Sequence, residues 1–492
     1  MNYIDQGSAL SRKVPNRKLT KKNSLFYQQS VLENEEFLQK YEKNVDQLQT
    51  VIEEPELKEV IQIRNEKFFQ LLEQIIKVES SIKDFAKGYQ KYGFIVSDNG
   101  ITYREWAPNA QDLKLNDYSC TTDNGGNWEV FIPKDDDDNH QIVHGSTLTT
   151  NLNDLQRASV WSQVKNGDKA IFWNPDNKYE LQQQQQKLQQ QQQSKGLKMI
   201  KQRINELENI QGYNAILITQ QVLMAVDVNQ INPEELKKKI DELHQQGLQV
   251  LMEIDHQLLG KHLKNWDGSD YQYVREGSDQ LDYGKWEVLR LLLSNLQFWI
   301  QEYQIDGFKF SNIDITEDID VAVYLMLAND LIHDILPNGI TIITNFEYPA
   351  ICRYIKEGGL GFDLKVSQLQ SKQYMSKTLY EIRADATRAE QLNALVFGQG
   401  VISDKKDNHF LLLESQLGWL ENEFAEVNQI DFVIEVKRSK YTFLINLTNQ
   451  DRTIQLNYKI NQIFQQEGYK QTQIDENSIE IQIQSEQGLI IQ

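Results

Sequence analysis

Polar side chains at the ends of apolar runs are the residues of this chain that could do chemistry. They are Glu253, His256, Lys309, Ser311 and Thr344. Two carboxyl groups at such places could act as nucleophile and general acid, but only one of the five residues is a carboxylic acid. Ser311 is a neutral hydroxyl with no visible base, and a lone histidine at a strand end is more typical of a structural role. The residue types alone therefore predict that these five side chains do not form an intact catalytic set.

No cofactor is predicted. The chain has no Gly-rich phosphate loop, and its two cysteines, Cys120 and Cys352, do not have metal-ligand spacing. The aspartate run at 135–138 is interpreted as a solvated loop, because a cation site needs spaced ligands on a fixed frame. We expect neither a metal nor a nucleotide site.

Alternating strands and helices must position the five polar residues. Strand candidates at 215–219, 250–254, 307–310 and 340–343 alternate with helix candidates at 233–246, 286–303 and 321–336. This order is typical of a parallel sheet, and so many units in series predict an α/β fold with a TIM-type (β/α) barrel. Because side chains alternate along a strand, we expect Lys309 and Ser311 to face the barrel interior, with Phe308 and Phe310 outward.

Two β domains are predicted to flank the barrel. Short alternating strands before it indicate an N-terminal β-sandwich, and renewed alternation after about residue 432 indicates a C-terminal antiparallel β-domain. The predicted limits are 1–55 for a basic, disordered or extended arm, 56–90 for an amphipathic helical segment, 91–175 for the sandwich, 176–196 for a Gln-rich insertion, 197–415 for the barrel and 416–492 for the last domain.

Composition narrows the class of partner. The chain has 492 residues with 51 Lys and Arg against 71 Asp and Glu, a formal net charge of −20. So acidic a surface repels nucleic acid and anionic lipid, and favours other proteins or a neutral ligand as partners. No apolar run approaches the roughly 20 residues of a membrane span. Two cysteines and a start without a secretory core predict the cytoplasm or another reducing intracellular compartment.

Several motifs, in order along the chain, resemble one family. They are GITYREWAP at 100–108, HGS at 144–146, GLQVLMEIDH at 247–256, YGKWEVLRLLLSN at 283–295, DGFKF at 306–310, GGLGFD at 358–363 and GWL at 418–420. They are similar to the eukaryotic 1,4-α-glucan (glycogen or starch) branching enzymes of the α-amylase superfamily. The resemblance runs from about 56 to about 447, and it implies a carbohydrate-module-like sandwich before a TIM barrel.

The resemblance also implies a chemistry and the places of its residues. These enzymes cleave an α-1,4 bond with retention, through a carboxylate nucleophile and a carboxyl acid/base. The nucleophile's place is taken by Ser311 and that of the acid/base by Thr344. Lys309 stands where the family has Arg, Glu253 stands where it has Asp, and His256 is kept. The carboxylates of the family are thus replaced in this chain.

Other parts of the family's site are missing. Glu347 lies three residues beyond Thr344, about 10 Å along a strand, too far to replace the acid. No His-Asp pair occurs between 363 and 418, a region shorter than in the family. Its shortening predicts that the seventh and eighth barrel strands are incomplete.

The sequence is compatible with three functions. The preferred one is a branching-enzyme-like pseudoenzyme that serves as a scaffold or subunit of a protein assembly. The second is a glucan-binding module, with Trp128 as its one aromatic platform, although such a tryptophan is more often part of a core. The third is an active 1,4-α-glucan branching enzyme with a relocated site.

Overall fold

The computed structural model describes residues 55–133, 144–146, 148–150, 155–171, 173, 178–181, 196–219, 223–315, 318–344, 351–367, 377–398, 400–404, 409–421, 424–465, 467–475 and 478–492. The predictions for the basic arm (apart from residue 55), for the aspartate run, for Glu347 and for most of the Gln-rich insertion lie outside these residues. The domain limits derived from the sequence stay predictions.

Three helices open the described chain, namely α1 (Pro55–Glu79), α2 (Ile82–Phe85) and α3 (Gly88–Lys91). The apolar face of α1 is buried at Phe68, Leu72 and Ile75. These side chains belong to the large core that also contains the outer helices of the barrel, so burial of one face holds α1 against the barrel.

Short strands follow α3. They are β1 (Gly93–Ser97), β2 (Gly100–Trp106), β3 (Leu113–Leu115), β4 (Tyr118–Ser119), β5 (Thr121–Thr122), β6 (Asn127–Pro133), β7 (His144–Ser146), β8 (Leu148–Thr150), β9 (Leu155–Arg157), β10 (Val164–Asn166) and β11 (Lys169–Ile171). Two antiparallel sheets form, in the orders β1-β2-β6-β5 and β4-β3-β8-β9, and β7, β11 and β10 belong to a third. The described strands of the N-terminal region thus pair with one another in antiparallel fashion.

The barrel region contains β12 (Leu197–Lys201), β13 (Ala215–Thr219), β14 (Val226–Asp227), α4 (Pro233–Gln245), β15 (Gln249–Asp255), α5 (His256–Leu263), α6 (Trp286–Tyr303), β16 (Gly307–Ser311), α7 (Ile319–Ile335), β17 (Ile340–Ile343), β18 (Leu364–Ser367), β19 (Thr378–Ile382), α8 (Arg388–Phe397), β20 (Gly400–Ser403) and α9 (His409–Leu417). Two short 3₁₀ helices, Ile355–Glu357 and Trp419–Glu421, complete the helical segments. The strand β14 pairs with β10 of the third N-terminal sheet, which connects the two regions.

Eight parallel strands close into a barrel in the order β12-β13-β15-β16-β17-β18-β19-β20, and β20 pairs with β12. The predicted TIM-type barrel is confirmed, but the expectation of incomplete seventh and eighth strands is wrong. Both β19 and β20 are present and pair on both sides. β19 has five residues and β20 has four, so both strands are short enough to be present in the shortened region.

The two faces of the barrel strands have separate cores, as the alternation predicts. Interior residues such as Met199, Leu217 and Leu251 form a cluster of their own. Phe308 and Phe310 pack outward in the larger core with the helices. At Gly307 a Cβ atom would lie 2.1 Å from the carbonyl oxygen of Ile340, so only glycine allows β16 to approach β17 this closely.

The chain ends in an antiparallel β-domain. Its strands are β21 (Phe424–Ile430), β22 (Val433–Arg438), β23 (Tyr441–Ile445), β24 (Arg452–Leu456), β25 (Tyr469–Gln473), β26 (Ile479–Ile483) and β27 (Gly488–Ile491). They form two sheets, β21-β22-β23-β27 and β24-β26-β25, over a shared core of aliphatic residues. The predicted C-terminal antiparallel domain is confirmed.

Candidate functional site

A cavity of about 720 Å³ opens at the carboxyl ends of the barrel strands. The end of a TIM barrel where its strands terminate is where catalytic residues of this fold are found. The five polar residues singled out in the sequence all line this cavity: Glu253, His256, Lys309, Ser311 and Thr344. The structure therefore brings together residues that lie on three different strands or directly after them.

Glu253, on β15, is the centre of the polar contacts in the cavity. Its Oε1 atom accepts hydrogen bonds from Lys309 Nζ at 2.7 Å and from Ser311 Oγ at 2.7 Å. Its Oε2 atom lies 2.6 Å from Nζ of Lys201, at the end of β12. Glu253 and Lys309 are buried, at 5% and 3% exposure. Three strands of the barrel mouth are thus cross-linked through one carboxylate, and both of its oxygens have partners.

The surroundings of Glu253 determine its charge. Burial raises the pKa of the carboxyl, but the Lys309 charge and hydrogen bonds from Lys201, Lys309 and Ser311 outweigh burial and lower the pKa to about 2. A general acid working near neutral pH needs the opposite shift. Glu253 is therefore an anion that cannot donate a proton at neutral pH.

The hydroxyls of Ser311 and Thr344, predicted to take the places of the nucleophile and the acid/base, are used in local hydrogen bonds. The Ser311 hydroxyl donates to Glu253, and Thr344 Oγ1 donates to the carbonyl oxygen of Phe310 at 3.0 Å. Neither side chain carries a charge, and each hydroxyl already donates its proton to a neighbouring oxygen. That Ser311 and Thr344 mark degenerate catalytic positions stays a prediction.

His256 is held as a neutral structural residue. Its Nδ1 atom is 3.3 Å from the Ser311 carbonyl oxygen, and its Nε2 atom is 3.2 Å from the hydroxyl of Tyr324. Because a carbonyl can only accept, Nδ1 donates, and Nε2 accepts from the Tyr324 hydroxyl. The ring stacks on Phe310 at 5.6 Å, and burial lowers its pKa to about 4. These contacts favour the structural interpretation of His256.

Glu381 is a site residue that the sequence reasoning missed. It lies on β19, and its Oε1 atom is 3.5 Å from Lys309 Nζ. Both carboxylates contact the same ammonium, so their Oε1 atoms are no farther apart than the sum of 2.7 and 3.5 Å. The signal was the alternation in Thr378–Ile382, which places Glu381 on the same face as the interior residue Leu379.

The distance between the Glu253 and Glu381 carboxylates resembles that of a catalytic pair, but both groups contact the Lys309 ammonium. Retaining glycosidases hold their two carboxyl groups about 5–5.5 Å apart, and inverting ones about 6.5–9.5 Å. The upper limit on the distance between the Oε1 atoms of Glu253 and Glu381, set by their contacts with Lys309, is close to both ranges. Here, however, the Lys309 ammonium contacts both groups and neutralises charge where a sugar ring would need it.

Trp128 does not fulfil its predicted role as a sugar platform. Its side chain is 6% exposed, and its indole N–H donates to the carbonyl oxygen of Ala107 at 2.8 Å. A buried ring cannot stack on a sugar, so the substrate-binding prediction is corrected in favour of the core interpretation. The exposed aromatic residue of the same strand is Phe131, at 50% exposure, because side chains of β6 alternate between two faces.

Among the described residues, no helix combines the length and the apolar character needed to cross a membrane. The compartment of the protein stays a prediction.

Comparison with curated proteins identifies relatives of one kind. The chain is 31% identical over 411 residues to the 1,4-alpha-glucan-branching enzyme of Rhizophagus irregularis, covering 66% of this chain and 60% of that protein. It is 30% identical over 387 residues to 1,4-alpha-glucan-branching enzyme 2-2, chloroplastic/amyloplastic, of Arabidopsis thaliana, covering 60% and 48%. The chain thus spans about half to three fifths of the length of these relatives. No family model matches the chain.

Comparison with solved structures supports the fold. The pullulanase of Paenibacillus barengoltzii, in complex with maltohexaose and alpha-cyclodextrin, superposes with a TM-score of 0.55 at 11% identity, over 83% of this chain and 96% of that one. The pullulanase of Anoxybacillus sp. LM18-11, complexed with maltotriose, gives 0.53 at 11% identity, over 83% and 87%. At such identity the likeness concerns the fold alone. The resemblance to branching enzymes that the motifs predicted is confirmed, because the curated relatives are 1,4-alpha-glucan-branching enzymes.

Proposed function

We propose that this chain, a divergent relative of the 1,4-alpha-glucan-branching enzymes, is a non-catalytic scaffold or subunit of a protein assembly that retains weak glucan binding. The observation that carries the proposal is the state of Glu253. Both of its carboxylate oxygens are engaged by Lys309, Ser311 and Lys201.

Glycosyl transfer with retention requires an ionised carboxylate with an oxygen free to bond the anomeric carbon, and a protonated carboxyl at the leaving oxygen. Glu253 meets neither condition, because both of its oxygens are engaged by neighbouring side chains and its pKa is lowered to about 2. The loss of one member of a catalytic unit costs on the order of 10⁴ to 10⁶ in turnover. In this chain Ser311 and Thr344 replace two members, which supports a role other than catalysis.

A scaffold needs a stable surface rather than a reactive site. The closed barrel, its separate interior core and the terminal β-domain provide such a frame. The net charge of −20 favours protein partners with basic surfaces and neutral ligands over nucleic acid.

An active branching enzyme is the second candidate. It is favoured by one observation, namely that the carboxylates of Glu253 and Glu381 lie near the same point in the cavity. For catalysis, a bound sugar would have to displace the Lys309 ammonium from between them. The cost of separating the buried charges of Glu253 and Lys309 opposes this mechanism.

Incubation of the purified full-length protein with amylose separates the candidates. Iodine absorbance reports glycosyl transfer, and co-sedimentation with insoluble glucan reports binding. We expect unchanged iodine absorbance with partial co-sedimentation, while a curated relative serves as the positive control. If the wild-type protein lowers the absorbance, it transfers glycosyl groups and the proposal is wrong.

A further inference from the structure

A second groove, of about 660 Å³, opens in the C-terminal β-domain and shares no residue with the barrel cavity. It lies between the strand β25 and the segment 458–463. In the described part of the chain β25 pairs only with β26, so it forms an edge of its sheet. One wall of the groove is therefore an edge strand.

The wall formed by β25 carries polar side chains at positions that face the core of the domain. Tyr469, Gln471 and Gln473 alternate along β25 and all line the groove, whereas Lys470 and Thr472 between them do not. Their direct partners on β26 are isoleucines, which are buried in the core of the domain. Residues directly opposite in a sheet point to the same face. The two glutamines thus occupy inward positions, where a sandwich of two sheets normally places apolar side chains.

Amide groups line both walls of the groove, Gln471 on β25 and Asn461 and Gln462 on the facing segment. The side-chain amides of Asn461, Gln462 and Gln471 make no hydrogen bond with any residue the structure describes, and all three residues are exposed. The ring of Tyr458 is held in place because its hydroxyl donates to Glu435 at 2.8 Å. The groove combines fixed aromatic surface with amides that have hydrogen-bonding capacity left.

Charge in the groove is balanced. Its lining contains one cation, Lys459, and one anion, Asp475, although the whole chain carries a net charge of −20. A balanced lining favours a neutral ligand over a phosphorylated or acidic one. Ile479 contributes an apolar floor. The volume lies within the roughly 300–1,000 Å³ of small-molecule sites.

We propose that this groove binds a segment of a neutral α-1,4-glucan chain. Each amide offers both a donor and an acceptor, which matches sugar hydroxyls, and tyrosine rings pack against the apolar faces of sugar rings. The groove itself specifies a neutral, hydroxyl-rich ligand, and the choice of an α-glucan rests on the proposed function. Polar residues on an edge strand also discourage strand pairing between molecules. That role does not require glutamines on the inward face.

Calorimetric titration of the full-length protein with maltoheptaose tests the proposal. The variants Tyr469→Ala and Gln471→Leu change the groove, and Thr472→Ala changes the opposite face of the same strand as a matched control. We expect about tenfold weaker binding for each groove variant, because stacking or a hydrogen bond to the sugar is lost, and unchanged binding for Thr472→Ala. Asn461→Leu, on the facing segment, repeats the test without touching the strand.

Thermal unfolding of each variant shows whether it is folded before its affinity is compared. Groove variants that bind maltoheptaose as well as the wild type does would overturn the proposal, as would a wild-type protein without measurable binding. The iodine assay on the same samples keeps the two proposals separate. Glycosyl transfer by the wild type contradicts the non-catalytic function alone, whereas unaltered affinity of the groove variants contradicts the groove alone.

Discussion

Lys309 donates a hydrogen bond to Glu253 at 2.7 Å inside the barrel mouth, and both side chains are buried. A buried ion pair is stable only when each charge keeps its partner, since an unpaired buried charge is costly. In this chain the pair lies in the cavity at the carboxyl ends of the barrel strands, beside Ser311. The contact therefore stabilises the barrel mouth and keeps the Glu253 carboxylate engaged.

Replacing Glu253 by glutamine should destabilise the protein strongly. The change removes the closer of the two carboxylates that contact Lys309, whose side chain is 4% exposed, and we expect a loss of about 3–5 kcal/mol in the free energy of unfolding. Urea unfolding followed by tryptophan fluorescence measures the loss.

The matched control for Glu253→Gln is Lys201→Met. Lys201 contacts the same carboxylate but its side chain is 42% exposed, so we expect a loss below about 1 kcal/mol. Equal losses in the two variants would contradict the view that the buried pair dominates. The pKa of Glu253 is lowered to about 2, so its contribution is present above the unfolded pKa near 4.5 and is lost as pH falls toward 2. The Glu253→Gln variant should lack this acid-dependent loss.

Glu105 should make stability depend on pH in the opposite direction. Its carboxyl is fully buried and accepts hydrogen bonds from Tyr103, Ser159 and the backbone N–H of Trp106. Burial raises its pKa to about 8, although the hydrogen bonds act against this shift. The folded state then holds a proton that the unfolded chain releases near pH 4.5, so stability declines from about pH 4.5 to about pH 8.

We expect the Glu105→Gln variant to lose less stability than the wild type between pH 5 and pH 8. Melting temperatures measured across this range, in buffers of equal ionic strength, compare the two proteins. Parallel pH profiles would show that Glu105 does not hold a proton in the folded state.

Restoring carboxylates at the degenerate positions should not restore activity. In the double variant Ser311→Asp, Thr344→Glu, the new aspartate would lie beside Glu253, whose Oε1 now accepts from the Ser311 hydroxyl at 2.7 Å. Two carboxylates at this distance repel each other, and Lys309 cannot satisfy both fully. We expect no change in the iodine absorbance of amylose and a lower melting temperature than that of the wild type.

The variant Ser311→Asn introduces a side chain of nearly the size of aspartate but without its charge. It therefore shows how much of the destabilisation is caused by the size of the new side chain alone. It should be destabilised less than the double variant, because it adds no negative charge. Measurable glycosyl transfer by the double variant would show that the cavity still binds and orients a glucan for reaction.

Trp128 and Phe131 lie on one strand and should respond differently to truncation. Trp128→Ala removes a buried ring and its hydrogen bond to Ala107, and we expect a loss of about 3–5 kcal/mol. Phe131→Ala removes a half-exposed ring, and we expect a loss within about 1 kcal/mol. Chemical unfolding of both variants measures these losses. A stable Trp128→Ala protein with reduced glucan binding would show instead that Trp128 contacts the glucan.

Local patterns predicted much of the architecture. The helix predicted at 233–246 is found as Pro233–Gln245, and Asn232 caps it by accepting a hydrogen bond from the backbone N–H of Glu235. The alternation along Gly307–Ser311 correctly placed Lys309 and Ser311 inward. Both features depend on residues close together in the chain, so periodicity and residue type were sufficient to predict them.

By itself, the sequence determined the order of elements, the resemblance to branching enzymes and the absence of carboxylates at Ser311 and Thr344. The tertiary structure alone decided that the barrel closes, that Glu381 shares Lys309 with Glu253, and that Trp128 is buried. These facts concern distances between side chains on different strands. Such distances depend on how strands pair around the barrel and how sheets pack, and no local pattern in the chain encodes them.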